Sequence, residues 1–136
     1  MKSHESEWIK DRISWKAKQH RLPNEHTKFW PDAPSYIKLR LPNDFHEPVL
    51  YSLSKTGTVT ILGVDELCVI SSGEILRLNL DEITKISIID KDKEIEKLDL
   101  DQLCVHCNGK FTIPTEKGKS AFAIWGILEM LIRMKK

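Results

Sequence analysis

Seven short segments with strand-like patterns follow one another between residues 49 and 114, and no helical segment interrupts them. In the first, Val49, Tyr51 and Leu53 alternate with Ser52 and Ser54, as in a strand that buries one face. Parallel strands need long, usually helical, crossovers, which this region lacks. The pattern therefore predicts an antiparallel barrel or sandwich.

Turn signals separate these segments. Thr56-Gly57 and residues 71–74 each join two neighbouring segments. Asn108-Gly109 is a strong hairpin signal, because both central residues of that turn adopt positive φ. Residues 90–97 are almost all charged, and we predict a solvated loop there.

Residues 117–134 carry the strongest helical pattern, and Thr115 is the predicted N-cap. One apolar row, which should close the end of the sheet, consists of Ala121, Ile124, Trp125, Leu128, Leu131 and Ile132. A second row consists of Ala123, Ile127, Met130 and Met134. The remaining wedge holds Phe122, Gly126, Glu129 and Arg133.

The two rows are more than one sheet surface can cover. On a helical wheel they span roughly 220°, whereas a core-facing helix usually shows an apolar stripe of about 100° or somewhat more. The surplus row must therefore meet something else. We expect it to pack against the N-terminal segment of the same chain or against a second copy of the protein.

The N-terminal residues 1–22 predict a charged helix with two thin apolar stripes. Trp8, Trp15 and Leu22 recur every seven positions, while Ile9 and Ile13 lie about 100° or more away around the helix. Neither stripe gathers enough apolar surface for the helix to be stable alone. We therefore expect it to dock on the rest of the chain.

Residues 23–48 contain five of the six prolines, which predicts an irregular arm over the surface. Within this arm, residues 36–41 alternate apolar and basic side chains and predict an edge strand. These changes in composition divide the chain in two. Residues 1–48 are the N-terminal helix and proline-rich arm, and residues 49–136 are a β-rich domain with its capping helix.

The composition is that of a folded domain: 40% of the residues are hydrophobic and 30% are charged. A net charge of +1 provides no global field that would attract nucleic acid or an anionic membrane. Three cysteines are too few for a disulfide framework and suggest a reducing compartment. The N-terminus has no apolar signal core, so we expect a cytoplasmic protein.

Residues 66–86 read ELCVISSGEILRLNLDEITKI. A strand, a glycine turn, a second strand and an L-D-E-I-x-x-I corner recur in this order in the pleckstrin-homology-like (PH-like) family, and the segment resembles that family's short bacterial forms. A tryptophan in the terminal helix, here Trp125, is also common in the family. The likeness covers residues 49–134.

The resemblance implies an α+β fold: a PH-like antiparallel seven-stranded barrel or sandwich, capped by the C-terminal helix and extended here by an N-terminal helix. It also implies a scaffold without intrinsic catalysis that binds proteins, peptides or lipids. Phosphoinositide-binding members carry several basic residues on their first hairpin. This chain has only Lys55 there, a departure that argues against recognition of a lipid headgroup.

Cys104, His106 and Cys107 are weak candidates for a metal site. On a strand, Cys104 and His106 share one face, whereas Cys107 points to the other. A metal needs ligands that converge on one point, so we favour cysteines that pack as small apolar residues. No motif matches a catalytic arrangement, and we predict that the protein is not an enzyme and has no cofactor.

Basic residues interleaved with tryptophans raise a second hypothesis, a peripheral binder of anionic lipid or another polyanion. The residues that would bind are Lys10, Arg12, Lys16, Lys18, Arg21, Lys38 and Arg40. Glu5, Glu7 and Asp11 dilute this basic pattern. We therefore favour a helix that packs its tryptophans and leaves its charges in water.

The leading hypothesis is a non-catalytic interaction or scaffold domain that binds a protein partner or self-associates as a homodimer. Its candidate contact residues are Trp8, Trp15, Ile127, Met130 and Met134. If the tryptophans are exposed in the monomer, they mark a protein contact, because tryptophan is enriched at binding hot spots. Nucleic acid is not indicated, and any membrane contact would be peripheral.

Overall fold

The computed structural model of the chain describes residues 3–87 and 100–134. The helices are α1 (Ser3–Gln19), α2 (Ser35–Lys38) and α3 (Lys119–Met134). The strands are β1 (Thr27–Phe29), β2 (Pro48–Leu53), β3 (Val59–Gly63), β4 (Glu66–Ser71), β5 (Glu74–Asn79), β6 (Lys85–Ser87), β7 (Gln102–His106) and β8 (Lys110–Pro114). The predicted loop at residues 90–97 lies outside the described residues.

Within these described ranges the strands form two antiparallel sheets. One has the order β1-β2-β3-β4-β5 and the other has the order β6-β7-β8. The sheets meet where β8 passes β3, and there the Thr60 hydroxyl donates to the Pro114 carbonyl at 2.6 Å. The predicted α+β class is confirmed, but these strands do not close into one seven-stranded barrel.

The predicted turns are confirmed where the chain reverses. Asn108 and Gly109 both have positive φ, at 55° and 148°, in the three-residue loop that joins β7 to β8. Gly57 and Gly73 also lie in the left-handed region, at the turns after β2 and β4. Glycine adopts this conformation without the steric cost that a side chain adds.

Strands β2 to β4 of the five-stranded sheet are covered on both faces, and β4 shows why its residues 67–70 are all apolar. Leu67 and Val69 face a large core that includes residues of α1, α3 and the second sheet. Cys68 and Ile70 face a smaller core beneath the proline-rich arm. A strand buried on both faces reads as a continuous apolar run instead of an alternating one.

The arm is more ordered than its prolines suggest. Ala33, Ile37 and Phe45 pack on the outer face of the five-stranded sheet. The predicted edge strand at residues 36–41 is wrong, because α2 begins directly after Pro34. Ile37 is directed into the core and Leu41 packs against it, while Leu39 is exposed. The edge position beside β2 is occupied by β1, which the sequence did not predict.

An ion-pair network ties the arm to the sheet. The Arg77 guanidinium on β5 donates to Glu66 through Nε at 2.9 Å and contacts the Asp44 carboxylate through Nη1 at 2.7 Å. The hydrogen bond from Arg77 lowers the pKa of Asp44 below its ordinary value. The loop after α2 is thereby held against β4 and β5.

Helix α3 begins two residues later than predicted, and Thr115 is not its N-cap. The Thr115 hydroxyl donates to the Glu116 carbonyl at 3.0 Å, and Gly118 then turns the chain with a φ of 88°. Ser120 Oγ donates to Glu116 Oε1 at 2.8 Å, so the Glu116 side chain links the preceding loop to the first turn. No helix within residues 3–87 and 100–134 combines the length and the apolarity that crossing a bilayer requires.

Candidate interaction surface along the terminal helices

The N-terminal helix covers the surplus apolar row of α3. Ile9, Ile13 and Ala17 of α1 are buried in the same core as Ala123 and Ile127 of α3. Two of the four residues of the surplus row are therefore interior, and Ile127, one of the candidate contact residues, is completely inaccessible in the monomer. The chain's own N-terminal segment, one of the two expected occupants, therefore covers this part of the surplus row.

Trp8 and Trp15 point away from this contact and are 57% and 48% exposed. The favoured expectation, that α1 packs its tryptophans, is wrong for both. The spacing of Ile9, Ile13 and Ala17 gives α1 an i, i+4, i+8 stripe of modest side chains that can approach α3 closely. The tryptophan stripe lies on another side of the helix and is left to solvent.

A groove runs between α1 and α3 on the exposed side of their contact, and we call it the interhelical groove. It is a recess of about 320 Å³ whose walls are Arg12, Trp15, Lys16, Met130, Arg133 and Met134. Trp15 and the two methionines supply apolar surface, while the other three residues supply positive charge. The groove therefore contains residues predicted to contact a protein partner and residues predicted to bind a polyanion.

The groove's charged side chains are held against its apolar surface. The Arg12 guanidinium lies 4.7 Å from the centre of the Trp15 ring, in a cation–π contact. Arg133 Nη2 lies 3.5 Å from Glu129 Oε2, and Glu129 also accepts a hydrogen bond from Trp125 Nε1 at 2.8 Å. The Glu129 carboxylate is therefore directed toward Trp125 and Arg133, at one margin of the groove.

A second recess of about 360 Å³ lies at the other end of the same helix pair. It is lined by Gln19, His20, Arg21, Lys119 and Phe122. The helices are close together here, since a Cβ on Gly126 would lie 2.7 Å from His20 Nε2. Arg21 and Lys119 make this second recess basic as well.

Helical geometry places both recesses along one seam. On α3, Lys119, Phe122, Gly126, Met130 and Arg133 recur at spacings of three and four and share one face. On α1, Arg12, Trp15, Lys16 and Gln19 do the same, and Trp8 extends that row. The seam therefore has basic residues toward both ends and apolar residues between them.

The other predicted basic residues have local structural contacts. Lys10 pairs with Glu47 at 4.0 Å, and Lys18 Nζ lies 5.8 Å from the centre of the Phe29 ring. On the arm, Lys38 donates to the Pro31 carbonyl at 3.2 Å, and Arg40 donates to the Ile70 carbonyl at 3.1 Å. Of the seven predicted basic residues, Arg12 and Lys16 line the groove and Arg21 lines the second recess.

The cysteine–histidine motif is divided between two faces of β7, as its spacing predicts. Cys104 Sγ lies 3.8 Å from His106 Nε2, which is 3.1 Å from Ser87 Oγ. Cys107 is buried, and its Sγ contacts the Asn79 carbonyl at 3.9 Å. Among the residues whose placement is described, no three metal-binding side chains come together.

Burial controls the chemistry of two of the three thiols. It raises the pKa of Cys68 to about 11 and also raises the pKa of Cys107. Both thiols are thus held in the protonated form, which neither attacks electrophiles nor ligates metals well. Cys104 is the half-exposed thiol of the three.

The comparisons with known proteins gave no relative. No protein-family model matches the sequence, and no match was found among the curated proteins or among the solved structures.

The sequence pattern missed five side chains that line the two recesses: Gln19, His20, Lys119, Phe122 and Arg133. Phe122 and Arg133 fell in the polar wedge of the α3 wheel, where only the pairing of Glu129 with Arg133 was apparent. The signal that could have found them is their shared i, i+3, i+4 spacing with Met130. That spacing becomes informative once α1 is known to lie alongside α3.

Proposed function

We propose that this protein is a non-catalytic interaction domain that binds a protein partner through the interhelical groove. The observation that carries the proposal is the exposure of Trp8 and Trp15 after α1 has docked on α3. A tryptophan that water still reaches over half of its surface retains apolar area that folding has not buried, and tryptophan is among the residues most enriched at binding hot spots. Met130 and Met134 extend this apolar surface with adaptable side chains.

Site-specific crosslinking tests this proposal. The photoreactive residue p-benzoylphenylalanine replaces Trp15 in one variant and Trp8 in another, and the variants are irradiated in the cells that normally make the protein. We expect a discrete protein adduct from both positions. Lys110, exposed on β8, serves as the control position. Equal adducts from position 110, or none from positions 8 and 15, would contradict the proposal.

Self-association is a specific version of this proposal. If two copies meet through the groove, Met130→Lys places a charge in the interface and should shift the protein from dimer to monomer in sedimentation velocity. Met130 is only partly buried in the monomer, so the substitution is compatible with folding. A wild-type protein that sediments as a monomer at all concentrations excludes the homodimer.

A second candidate function is peripheral binding of anionic lipid, and it is favoured by the proximity of Arg12 and Lys16 to the exposed Trp15. Vesicles of phosphatidylcholine with and without phosphatidylserine test it by cosedimentation. Binding should require phosphatidylserine and should weaken as salt is added. No binding at low salt excludes this function.

We also propose that the fold is a variant of the PH-like architecture. The seven strands β2 to β8 followed by α3 match the predicted series in number and order, and β1 adds an eighth strand beside β2. Two separate sheets, in place of a closed barrel, are the main departure among the described residues. An experimental structure that superposes on no PH-like domain would contradict the assignment.

A further inference from the structure

Positive charge is concentrated at both ends of the seam between α1 and α3. Arg12, Lys16 and Arg133 surround the interhelical groove, and Arg21 and Lys119 lie at the second recess. The whole chain has a net charge of only +1, so this is a local concentration and not a general property of the surface. A ligand that spans the seam therefore needs negative charge at both of its ends.

The centre of the seam is apolar and narrow. Phe122 lines the second recess and Met130 lines the interhelical groove, and between them Gly126 leaves room for the His20 ring. Phe122 also stacks on Trp125 with ring centres 5.8 Å apart, which fixes its orientation. This part of the seam suits an apolar side chain and offers little to a second row of charges.

The length of the seam limits the size of its ligand. Lys119 and Arg133 are fourteen positions apart on one helix, which corresponds to about 21 Å at 1.5 Å per residue. An extended peptide covers that distance with about six or seven residues, and a helix covers it with about four turns. Each recess, at about 320 and 360 Å³, has room for a large side chain.

We infer that the partner presents an acidic segment, with carboxylates near both ends and at least one large apolar side chain, that lies along the seam between α1 and α3. This inference rests on the proposed function and specifies the chemistry of its ligand. Two separate recesses suit a polypeptide, whose side chains can enter them, better than they suit the flat surface of a bilayer. Glu129 at the seam's margin and the apolar centre disfavour a nucleic acid, whose charge is continuous.

A selection experiment tests the inference directly. A random linear peptide library is selected for binding to the immobilised full-length chain at low salt. We expect the selected peptides to be enriched in aspartate and glutamate together with aromatic or aliphatic residues. The dissociation constant of a selected peptide should rise about tenfold or more in the Arg12→Glu/Arg133→Glu variant, and it should also rise with salt.

A matched control separates position from net charge. Lys85→Glu/Lys110→Glu changes the net charge by the same amount at exposed positions of β6 and β8. It should leave the dissociation constant within about twofold of the wild-type value. Circular dichroism of both variants verifies folding. If the Arg12/Arg133 variant misfolds, substitution of Lys16 and Lys119 by glutamate replaces it, since Lys119 is exposed and Lys16 is partly exposed at the ends of the seam.

Three outcomes would overturn the inference: selection of neutral or basic peptides, equal loss of binding in the control variant, and binding of phosphatidylserine vesicles but of no peptide. The crosslinking experiment distinguishes this failure from failure of the proposed function. Adducts from positions 8 and 15 together with non-acidic peptides would retain the interaction domain and reject the acidic ligand. If neither experiment gives binding at the seam, both are rejected.

Discussion

At Gly63 the backbone of β3 lies directly against the arm. A Cβ at this position would lie 2.7 Å from Phe45 Cε1 and 3.0 Å from the His46 carbonyl oxygen. The ring could move, but the carbonyl belongs to the backbone and cannot move without disturbing the arm. The absence of a side chain at residue 63 is therefore a packing requirement, which the sequence pattern did not reveal.

Gly63→Ala should lower the free energy of unfolding by about 1–3 kcal/mol, because the added methyl group overpacks the contact with the arm. Gly126→Ala is the matched control. The three atoms nearest to its methyl group all belong to the His20 ring, a side chain that can move, and alanine favours the helix, so we expect a net change within about 1 kcal/mol. Denaturant unfolding measures both changes. A neutral Gly63→Ala would show that the arm does not press on β3.

The buried thiol of Cys68 should make the protein less stable in alkaline solution. Its pKa is raised from 9.0 to about 11 in the folded chain, so the unfolded chain loses this proton first as the pH rises. The stabilisation is fully present below pH 9 and is lost progressively as the pH approaches 11. Cys68→Ala should flatten this part of the stability profile measured by denaturant unfolding. A profile of unchanged slope would contradict the raised pKa.

At the scale of elements, the strand pattern was the most reliable signal. β2 to β5 and β8 lie where alternation, apolar runs and turn residues predicted them, because each strand has at least one buried face and is bounded by a turn. α2 was missed because a single turn of helix has too few residues to show a period. α1 was predicted as a helix, but its docking stripe could not be chosen from two thin candidates.

Substitutions on the two stripes of α1 should differ in how much they lower the free energy of unfolding. Ile13→Ala removes a fully buried side chain and should cost about 2–5 kcal/mol of unfolding free energy. Trp15→Ser alters a half-exposed side chain and should cost less, about 1–2 kcal/mol, because only about half of the side chain is buried. Thermal unfolding distinguishes them. A large loss of stability in Trp15→Ser would mean that the tryptophan is structural and not a contact residue.

At the scale of the whole molecule, the N-terminal segment and the β-rich segment contribute to the same sheet and to the same hydrophobic cores. β1 belongs to the same sheet as β2, the arm covers the outer face of that sheet, and α1 covers α3. The division at residue 48 stays a prediction about folding units. Because both segments contribute side chains to the same cores, we expect each segment to depend on the other for its stability.

Removal of residues 1–22 should uncover Ala123 and Ile127 on α3 and leave a contiguous apolar surface. We expect the truncated chain to bind the dye ANS and to unfold at a lower denaturant concentration than the full chain. The Trp8→Ser/Trp15→Ser variant is the control, because it changes only the exposed stripe. A truncated chain with unchanged midpoint and no dye binding would show that α1 is dispensable for folding.

The sequence by itself determined the α+β class, most of the strands, the turns and the excess of apolar surface on α3, because these depend on periodicity and on turn chemistry within short stretches of chain. Only the tertiary structure determined which element covers that excess surface. The choice depended on which stripe of α1 could approach α3 closely, and Ile9, Ile13 and Ala17 fit where the tryptophans do not. By burying one stripe, the fold left the other exposed beside Arg12, Lys16 and Arg133, and so created a groove whose residues are far apart in the sequence.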